Sequence, residues 1–319
     1  MAERGIYLPD GTFMSEGDIK RRLAHQETRA EFLSRIPKSP DLKRYLEIAK
    51  ERANQANEMS SRNDGTISVG VVAEAIIAYM GDFHLGHPNV DHKRIEDEVN
   101  AVAGTKGAYV AMMGDMVDGV FFGGSAQGEN TLNITEQHGL LKAIRKTLNG
   151  KVLFGVGGEH DQKWASKTGA DPYANFSEET GAPAVRGIVE AEIKSGDDTW
   201  NVVAAHKMRG HSMYNKTHPD MRQSRFGIQG ADIYVSAHTH QKGVAQEQIR
   251  DFGEESHEVT HISIGPYKSG DEYSQREGFP KQTTDEQGGV ATKLTKRDGK
   301  KHVETDPDIV SAIKRWSAD

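Results

Sequence analysis

The chain has 319 residues, 35% of them apolar and 27% charged, with a net charge of −7 and no cysteine. That length can bury a large core, and the missing thiols exclude disulfides and thiolate metal sites, so any metal falls to His, Asp, Glu or Asn ligands. No stretch approaches the roughly 20 apolar residues of a bilayer span, and Met1–Gly5 lacks the basic-then-apolar order of a secretory signal; the expectation is a cytoplasmic protein with no membrane partner.

Residues 1–65 read as an N-terminal helical extension. After the turn signal Leu8-Pro9-Asp10-Gly11, one amphipathic helix is expected from Ser15 to about Arg35, with Ile19, Leu23, Phe32 and Leu33 on its apolar positions. Pro37 and Pro40 separate it from a second, about Asp41 to Met59, and Ser60–Gly65 reads as a linker. Docking a protein partner and packing on the main domain are both open to this extension.

From residue 66 to 319 strand and helix signals alternate, as in an α/β domain. Strands are expected at Thr66–Val72, Ala75–Met80, Gly107–Met113 and Lys151–Val156, with helices at Asp91 to Ala103 and Thr135 to Leu148. Val185–Lys194 and Thr199–Ala205 read as a hairpin around Ser195-Gly196-Asp197-Asp198. Further strands follow at Asp232–Ser236, Gly243–Arg250, Glu258–Ile264 and Gly289–Thr295, and a helix from Asp306 to Trp316 ends the chain. Residues 207 to 225 read as a polar loop.

Polar residues suited to metals stand at the ends of five of these apolar strands. They are Asp82 and His84, then Asp115, then Glu159 and His160, then His206, then His238 and His240. An aspartate and a histidine two residues apart at a strand end face the same side, where an oxygen and an imidazole nitrogen can hold one ion. Strand ends are also where α/β folds gather catalytic groups, because the sheet fixes the backbone while loops leave room for substrate.

In order, the motifs are Asp82-Phe83-His84, Gly114-Asp115-Met116-Val117-Asp118, Gly158-Glu159-His160-Asp161, His206, and Ala237-His238-Thr239-His240. Over roughly residues 67 to 265 this resembles the calcineurin-like metallophosphoesterase family, whose pattern is D-x-H, G-D-x-x-D, G-N-H-D/E, H and G-H-x-H. The resemblance implies a two-sheet β-sandwich flanked by helices, holding two divalent metal ions that clamp a phosphate. Asp115 would bridge them; Asp82, His84 and His240 would complete one ion's ligands, and Glu159, His206 and His238 the other's. A metal-bridging hydroxide would attack phosphorus in line, with His160 at the leaving oxygen as general acid. Asp118 and Asp161 would orient ligands from behind. Manganese is the expected metal, with iron, zinc or nickel equally compatible with such ligands.

The chain departs from that pattern at Glu159, which replaces a neutral asparagine with a longer, charged side chain, and mildly at Ala237, which replaces glycine. Lys207, Arg209 and His211, with Lys216, Arg222 and Arg225, are candidates to grip a phosphodiester or nucleotide phosphate, and Tyr267 is a candidate for base stacking. His87 reads as a solvated loop histidine. The expected activity is hydrolysis of a phosphodiester, with DNA among the substrates because the family includes repair nucleases. The acidic balance suits a nucleotide or phosphomonoester as well, and Glu159 leaves open a degenerate member serving as a binding or structural module.

Overall fold

The computed structural model describes residues 5–7, 13–15, 65–119, 130–168, 171–173, 175–212, 214–250, 256–270 and 280–317, with isolated positions at 17, 276, 278 and within 42–50. The chain divides into two compact units, Met1–Glu58 and Met59–Asp319. In the first, strands β1 (Gly5–Tyr7) and β2 (Phe13–Ser15) pair antiparallel, and the described positions within 42–50 are helical. The expected helix from Ser15 to Arg35, most of the one from Asp41 to Met59, and the linker 60–64 lie outside the described residues. No described helix is long and apolar enough to cross a membrane.

The second unit begins with β3 (Gly65–Val71), β4 (Ile76–Met80), α1 (His92–Gly104), β5 (Ala108–Met112), α2 (Ile134–Thr147) and β6 (Val152–Val156). Next come α3 (Glu159–Thr168), α4 (Phe176–Thr180), β7 (Ala184–Val185), β8 (Val189–Ser195), β9 (Asp198–Ala205), α5 (His218–Phe226) and β10 (Ile233–Ser236). The chain then runs through β11 (Gly243–Ile249), β12 (His257–Ser263), β13 (Val290–Arg297) and β14 (Lys300–Asp306) to α6 (Ile309–Trp316).

These strands make two six-stranded sheets, ordered β14-β13-β4-β5-β6-β7 and β11-β12-β10-β9-β8-β3. In the first, β4 to β7 are parallel; in the second, β10 lies parallel to both β9 and β12. Side-chain alternation gives the layering its physical basis. In β4, Ile77 and Tyr79 face the core between the sheets with Trp200, Val202, Ile233 and Val235. Ile76, Ala78 and Met80 face the other way, onto Ile95, Val99 and Val102 of α1 and Ile313 and Trp316 of α6. Such a strand is apolar throughout because both faces are covered. Three of the helices, α1, α2 and α6, start where a side chain satisfies one of their first N–H groups. Asp91 accepts from the Arg94 N–H at 2.9 Å, and Asn133 and Glu136 form a reciprocal capping box on α2.

The strands β1 and β2, the latter holding Ser15 where a helix is expected to start, and the short helix α4 are not foreseen, and four further elements differ from the sequence reading. The strand expected over Val185–Lys194 is two strands in different sheets, β7 and β8. The edge strand β14 reads as polar because charges are what an exposed edge carries. The helix α3 starts at Glu159 itself, and α5 interrupts the expected 207–225 loop with Pro219 in its first turn.

Tyr267 is fully buried rather than open to a base. Its ring meets Phe83 edge-to-face at 4.7 Å, its hydroxyl donates to Glu98 Oε2, and the Gly289 N–H donates to it at 3.1 Å. This ties the segment after β12 to α1 and β13, and leaves no ring face for a ligand. Burial raises the Glu98 carboxyl above its usual range, so its partner matters. Tyr267→Phe removes the hydroxyl that bonds both groups, leaving Glu98 with Arg94 and the Gly289 N–H with a long 3.4 Å bond to Glu98 Oε2, and should cost about 0.5–1.5 kcal/mol of stability. Urea unfolding measures this, and an unchanged midpoint would refute the structural role.

Candidate metal centre

The C-terminal ends of β4, β5 and β6 in one sheet, and of β9 and β10 in the other, converge on one place. Two sets of ligand atoms meet there, each within 4.8 Å: Asp82, His84 and His240, and Asp115, His206 and His238. His84 also stands in a third set with Asp118 and His160, which reflects the hydrogen bond between His84 Nδ1 and Asp118 Oδ1 at 3.0 Å. A carboxylate there takes the proton of Nδ1 and leaves the Nε2 lone pair facing the site.

The backbone is bent to make this possible. Among the described residues seven non-glycine residues have positive φ, and five of them are Asp82, His84, Asp115, His238 and His240. Left-handed conformations cost such residues on the order of 1 kcal/mol each and persist where the surroundings enforce them, typically at functional sites. Close approach of the β5 and β6 ends also requires glycine. A Cβ on Gly158 would lie 2.0 Å from the Asp115 nitrogen and 2.1 Å from its Oδ1. Both aspartates are held through main-chain donors: the His238 N–H gives to Asp82 Oδ2 at 2.9 Å, and the His160 N–H to Asp115 Oδ1 at 2.8 Å.

Divalent cations fit these residues. Asp82 Oδ1 is buried and accepts no hydrogen bond, yet it lies 3.9 Å from both His206 Nδ1 and His240 Nε2. The Nε2 atoms of His84 and His240 are 3.2 Å apart. Burial, with the Lys268 charge adding, holds the His84 imidazole well below its ordinary pKa and brings His240 down to about 3. Two neutral imidazoles and an unsatisfied carboxylate oxygen thus converge, a hard-to-intermediate donor set for a divalent ion. In the other set, His206 Nε2 lies 3.1 Å from Asp115 Oδ2, and its Nδ1 donates to the Met113 carbonyl at 2.8 Å.

The titration of the aspartates and His206 follows from their charges. Burial pushes Asp82 up to about 7, with the neighbouring Asp115 adding and His206 opposing. For Asp115 burial raises the pKa, but His206 and His160 outweigh it and hold the carboxyl below its usual range. Burial works against the charged form of His206 too, and the attraction of Asp115 and Asp82 overcomes it, carrying the ring up to about 10.

Asp161 is buried beneath the site and accepts from the Met116 N–H at 3.2 Å and the Gly158 N–H at 3.3 Å, binding the β5 and β6 ends together. Burial and Asp115 raise it to about 6. His160, on the first turn of α3, bonds through Nδ1 to the Asp118 carbonyl at 2.8 Å. Glu159 joins neither ligand set. Its carboxylate lies 3.5 Å from His238 Nδ1, 3.5 Å from Lys207 Nζ and 3.8 Å from Lys163 Nζ, so lysines compensate its charge at the rim.

His87 is buried rather than solvated, accepting from the Asn89 N–H at Nδ1; nearby, burial raises the Asp118 carboxyl above its usual range, against the opposing charge of Lys268. Lys207, Arg209 and His211 are exposed. Sequence reasoning passed over Lys268, whose buried ammonium stands 3.8 Å from Asp118 Oδ1. The available signal was its place beside Tyr267: successive extended residues point to opposite sides, so a buried tyrosine turns its neighbour towards the site.

No protein-family model and no curated protein matches this sequence. Solved structures do overlap it. A metallophosphoesterase from Sphaerobacter thermophilus is 13% identical over 76% of this chain and 93% of its own, at a TM-score of 0.36. Vacuolar Protein Sorting 29 from Cryptosporidium parvum gives 16% identity over 73% and 96%, at 0.35. The Pseudomonas putida nuclease MPE gives 11% over 77% and 89%, at 0.31. Overlap this loose transfers no activity. What the chain itself carries is the ordered run of motifs, the two-sheet architecture and a pair of convergent ligand sets.

Metal uptake should release protons. A ligating imidazole must be neutral, whereas metal-free His206, at about 10, is charged at pH 7, and Asp82, at about 7, is partly protonated. Affinity for zinc or manganese should therefore rise with pH between 6 and 9. Calorimetry in buffers of different ionisation enthalpy should count about one proton or more released at pH 7; pH-independent binding would contradict the assignment.

Proposed function

We propose that this chain is a two-metal phosphoesterase that hydrolyses phosphodiesters, with single-stranded nucleic acid as its substrate class and manganese as the working metal. The observation carrying this reading is the pair of adjacent ligand sets, Asp82–His84–His240 and Asp115–His206–His238, within 4.8 Å in each. Two divalent ions supply Lewis acidity to a phosphoryl group and an activated water at neutral pH. Asp115 lies between the sets, one oxygen held by the His160 N–H and the other beside His206, a placement suited to bridging. His160 is anchored through an Nδ1–H donated to the Asp118 carbonyl, so it is the imidazolium form, with its second proton on Nε2, that can give a proton to a leaving oxygen. Asp118 fixes the His84 ring, and Asp161 fixes the turns that carry Asp115 and Gly158.

A polymeric substrate is favoured by the segment that follows His206. It carries Lys207 and Arg209 close in sequence to that ligand, then Tyr214 and Phe226, which are 93% and 76% exposed. The Arg222 guanidinium lies 5.4 Å from the Phe226 ring centre. Exposed aromatic faces interleaved with cations are how proteins hold unpaired bases and their phosphates. Lys216 and Arg225 pair with Glu286 and Glu247, but exposed pairs are weak and exchange readily for phosphate.

Manganese-loaded protein should hydrolyse bis-p-nitrophenyl phosphate, and His84→Ala or Asp115→Ala should each lower kcat by about a hundred- to thousand-fold. Asp118→Asn should cost about ten- to a hundred-fold through loss of ligand orientation. A silent wild type that gains turnover as Glu159→Asn would instead assign the chain to the binding modules of this fold. Faster turnover of p-nitrophenyl phosphate than of the diester would point to a monoesterase. Tyr214→Ala with Phe226→Ala should weaken single-stranded DNA by about 1–3 kcal/mol per stacked base and leave the small diester unaffected; equal loss on both would remove the nucleic-acid reading.

A further inference from the structure

Away from the metal centre, His138, Leu141, Lys142 and Arg145 of α2, with Asp171, Pro172, Asn175 and Glu179, line a cavity of about 150 Å³. Arg145 is 2% exposed. Its Nη1 donates to the Pro172 carbonyl at 2.6 Å and to Glu179 Oε2 at 3.3 Å, and its planar group lies 4.7 Å from the Phe176 ring centre and 5.2 Å from that of Tyr173. Its Nε and Nη2 are buried with no hydrogen-bond partner. A guanidinium carries five N–H donors; here the Nε–Nη2 edge, three donors of a buried cation, is left unmet. That edge is the one that matches two oxygens of an oxyanion, and the unmet donors of a buried cation call for a partner, whether ordered water or a ligand.

The rest of the wall agrees. His138, Lys142 and Arg145 stand at i, i+4 and i+7 of α2, hence on one helix face. The Nε2 of His138 is also buried without a partner. The two carboxylates on the wall are already held: Asp171 by Arg186 and by the Tyr173 N–H at 2.9 Å, Glu179 by Arg145. The wall thus carries Lys142, the open edge of Arg145 and the His138 ring, with Glu179 paired to the far side of Arg145 and Asp171 to Arg186 outside the lining.

We propose that this cavity is a binding site for a small tetrahedral oxyanion of the phosphate class, gripped by the Nε–Nη2 edge of Arg145 with Lys142 and His138 Nε2 completing the ring of donors. Three donor groups around one cavity suit a tetrahedral anion better than a two-oxygen carboxylate. The site is independent of the hydrolytic reading, since its residues contribute nothing to the metal centre. It does reach towards that centre, because the Tyr173 hydroxyl beside Arg145 donates to the Val156 carbonyl at 2.6 Å, where β6 ends two residues before Gly158.

The test is a titration of the zinc-loaded full chain with inorganic phosphate, following imidazole resonances by NMR. The His138 signal should move saturably in the wild type and stay still in Arg145→Gln, while the His240 signal, reporting phosphate at the metals, responds alike in both. Lys142 is exposed, so Lys142→Gln keeps the fold and should weaken phosphate at His138 about tenfold, the worth of one charge-assisted hydrogen bond; it decides the matter if Arg145→Gln fails to fold. A His138 signal that never moves, or one indifferent to both substitutions, would overturn the site. Acetate binding as tightly as phosphate would overturn its class.

Discussion

Two carboxylates, Asp82 and Asp115, lie buried at neighbouring strand ends, and their need for positive charge governs everything around them. Isolated anions in such a place would be prohibitively costly. The protein answers in part with main-chain N–H groups from His160 and His238 and with a charged His206 in the metal-free state. What these leave unmet is a buried oxygen of Asp82 with no hydrogen bond, facing imidazoles kept neutral by burial. Negative charge on one side and neutral lone pairs on the other is the electrostatic description of a cation site.

Holding that arrangement costs the backbone. Each of Asp82, His84, Asp115, His238 and His240 sits in a left-handed turn that its Cβ disfavours. The strain is borne because the strands feeding those turns, β4, β5 and β10, are locked into sheets with apolar side chains on both faces. Asp161 adds a polar tie, linking the β5 turn to the β6 turn through three N–H groups at the one level where glycine lets the chains touch. Rigidity of the sandwich thus becomes precision at its rim.

Charge beyond the ligands is arranged with the same economy. Lys268 brings a buried positive charge next to Asp118, behind the His84 ring. Glu159, where a neutral amide stands in the related pattern, brings a negative one, and Lys207 and Lys163 draw its carboxylate outward, beside His238 but apart from both ligand sets. The additional charge is therefore answered at the rim, where solvent screens it, and the metal-facing charge is left to Asp82 and Asp115.

Much of this was legible in the linear chain. Runs such as Ile76–Met80 and Val152–Val156 announce buried strands because both of their faces are apolar, and Asp or His directly after them announces a site. The residues of the two convergent sets could be picked out as candidates because metal binding restricts residue type so severely in a chain without cysteine. Other features had no such signature. That Val185 and Val189 belong to different sheets, that Tyr267 is swallowed by the core while Lys268 stands beside Asp118, that His87 is buried, and that Glu159 meets both Lys207 and His238, each depends on contacts between residues tens of positions apart. Arg145 is the sharpest case: along α2 it is one basic residue in a charged last turn, and only packing against Tyr173 and Phe176 makes it a buried cation with an open edge. Local pattern decides which residue types stand at which strand ends, because hydrophobic periodicity and ligand chemistry are written residue by residue. Burial, charge pairing and the direction a side chain takes are decided by the tertiary structure, because they are properties of neighbours the chain supplies only once it has folded.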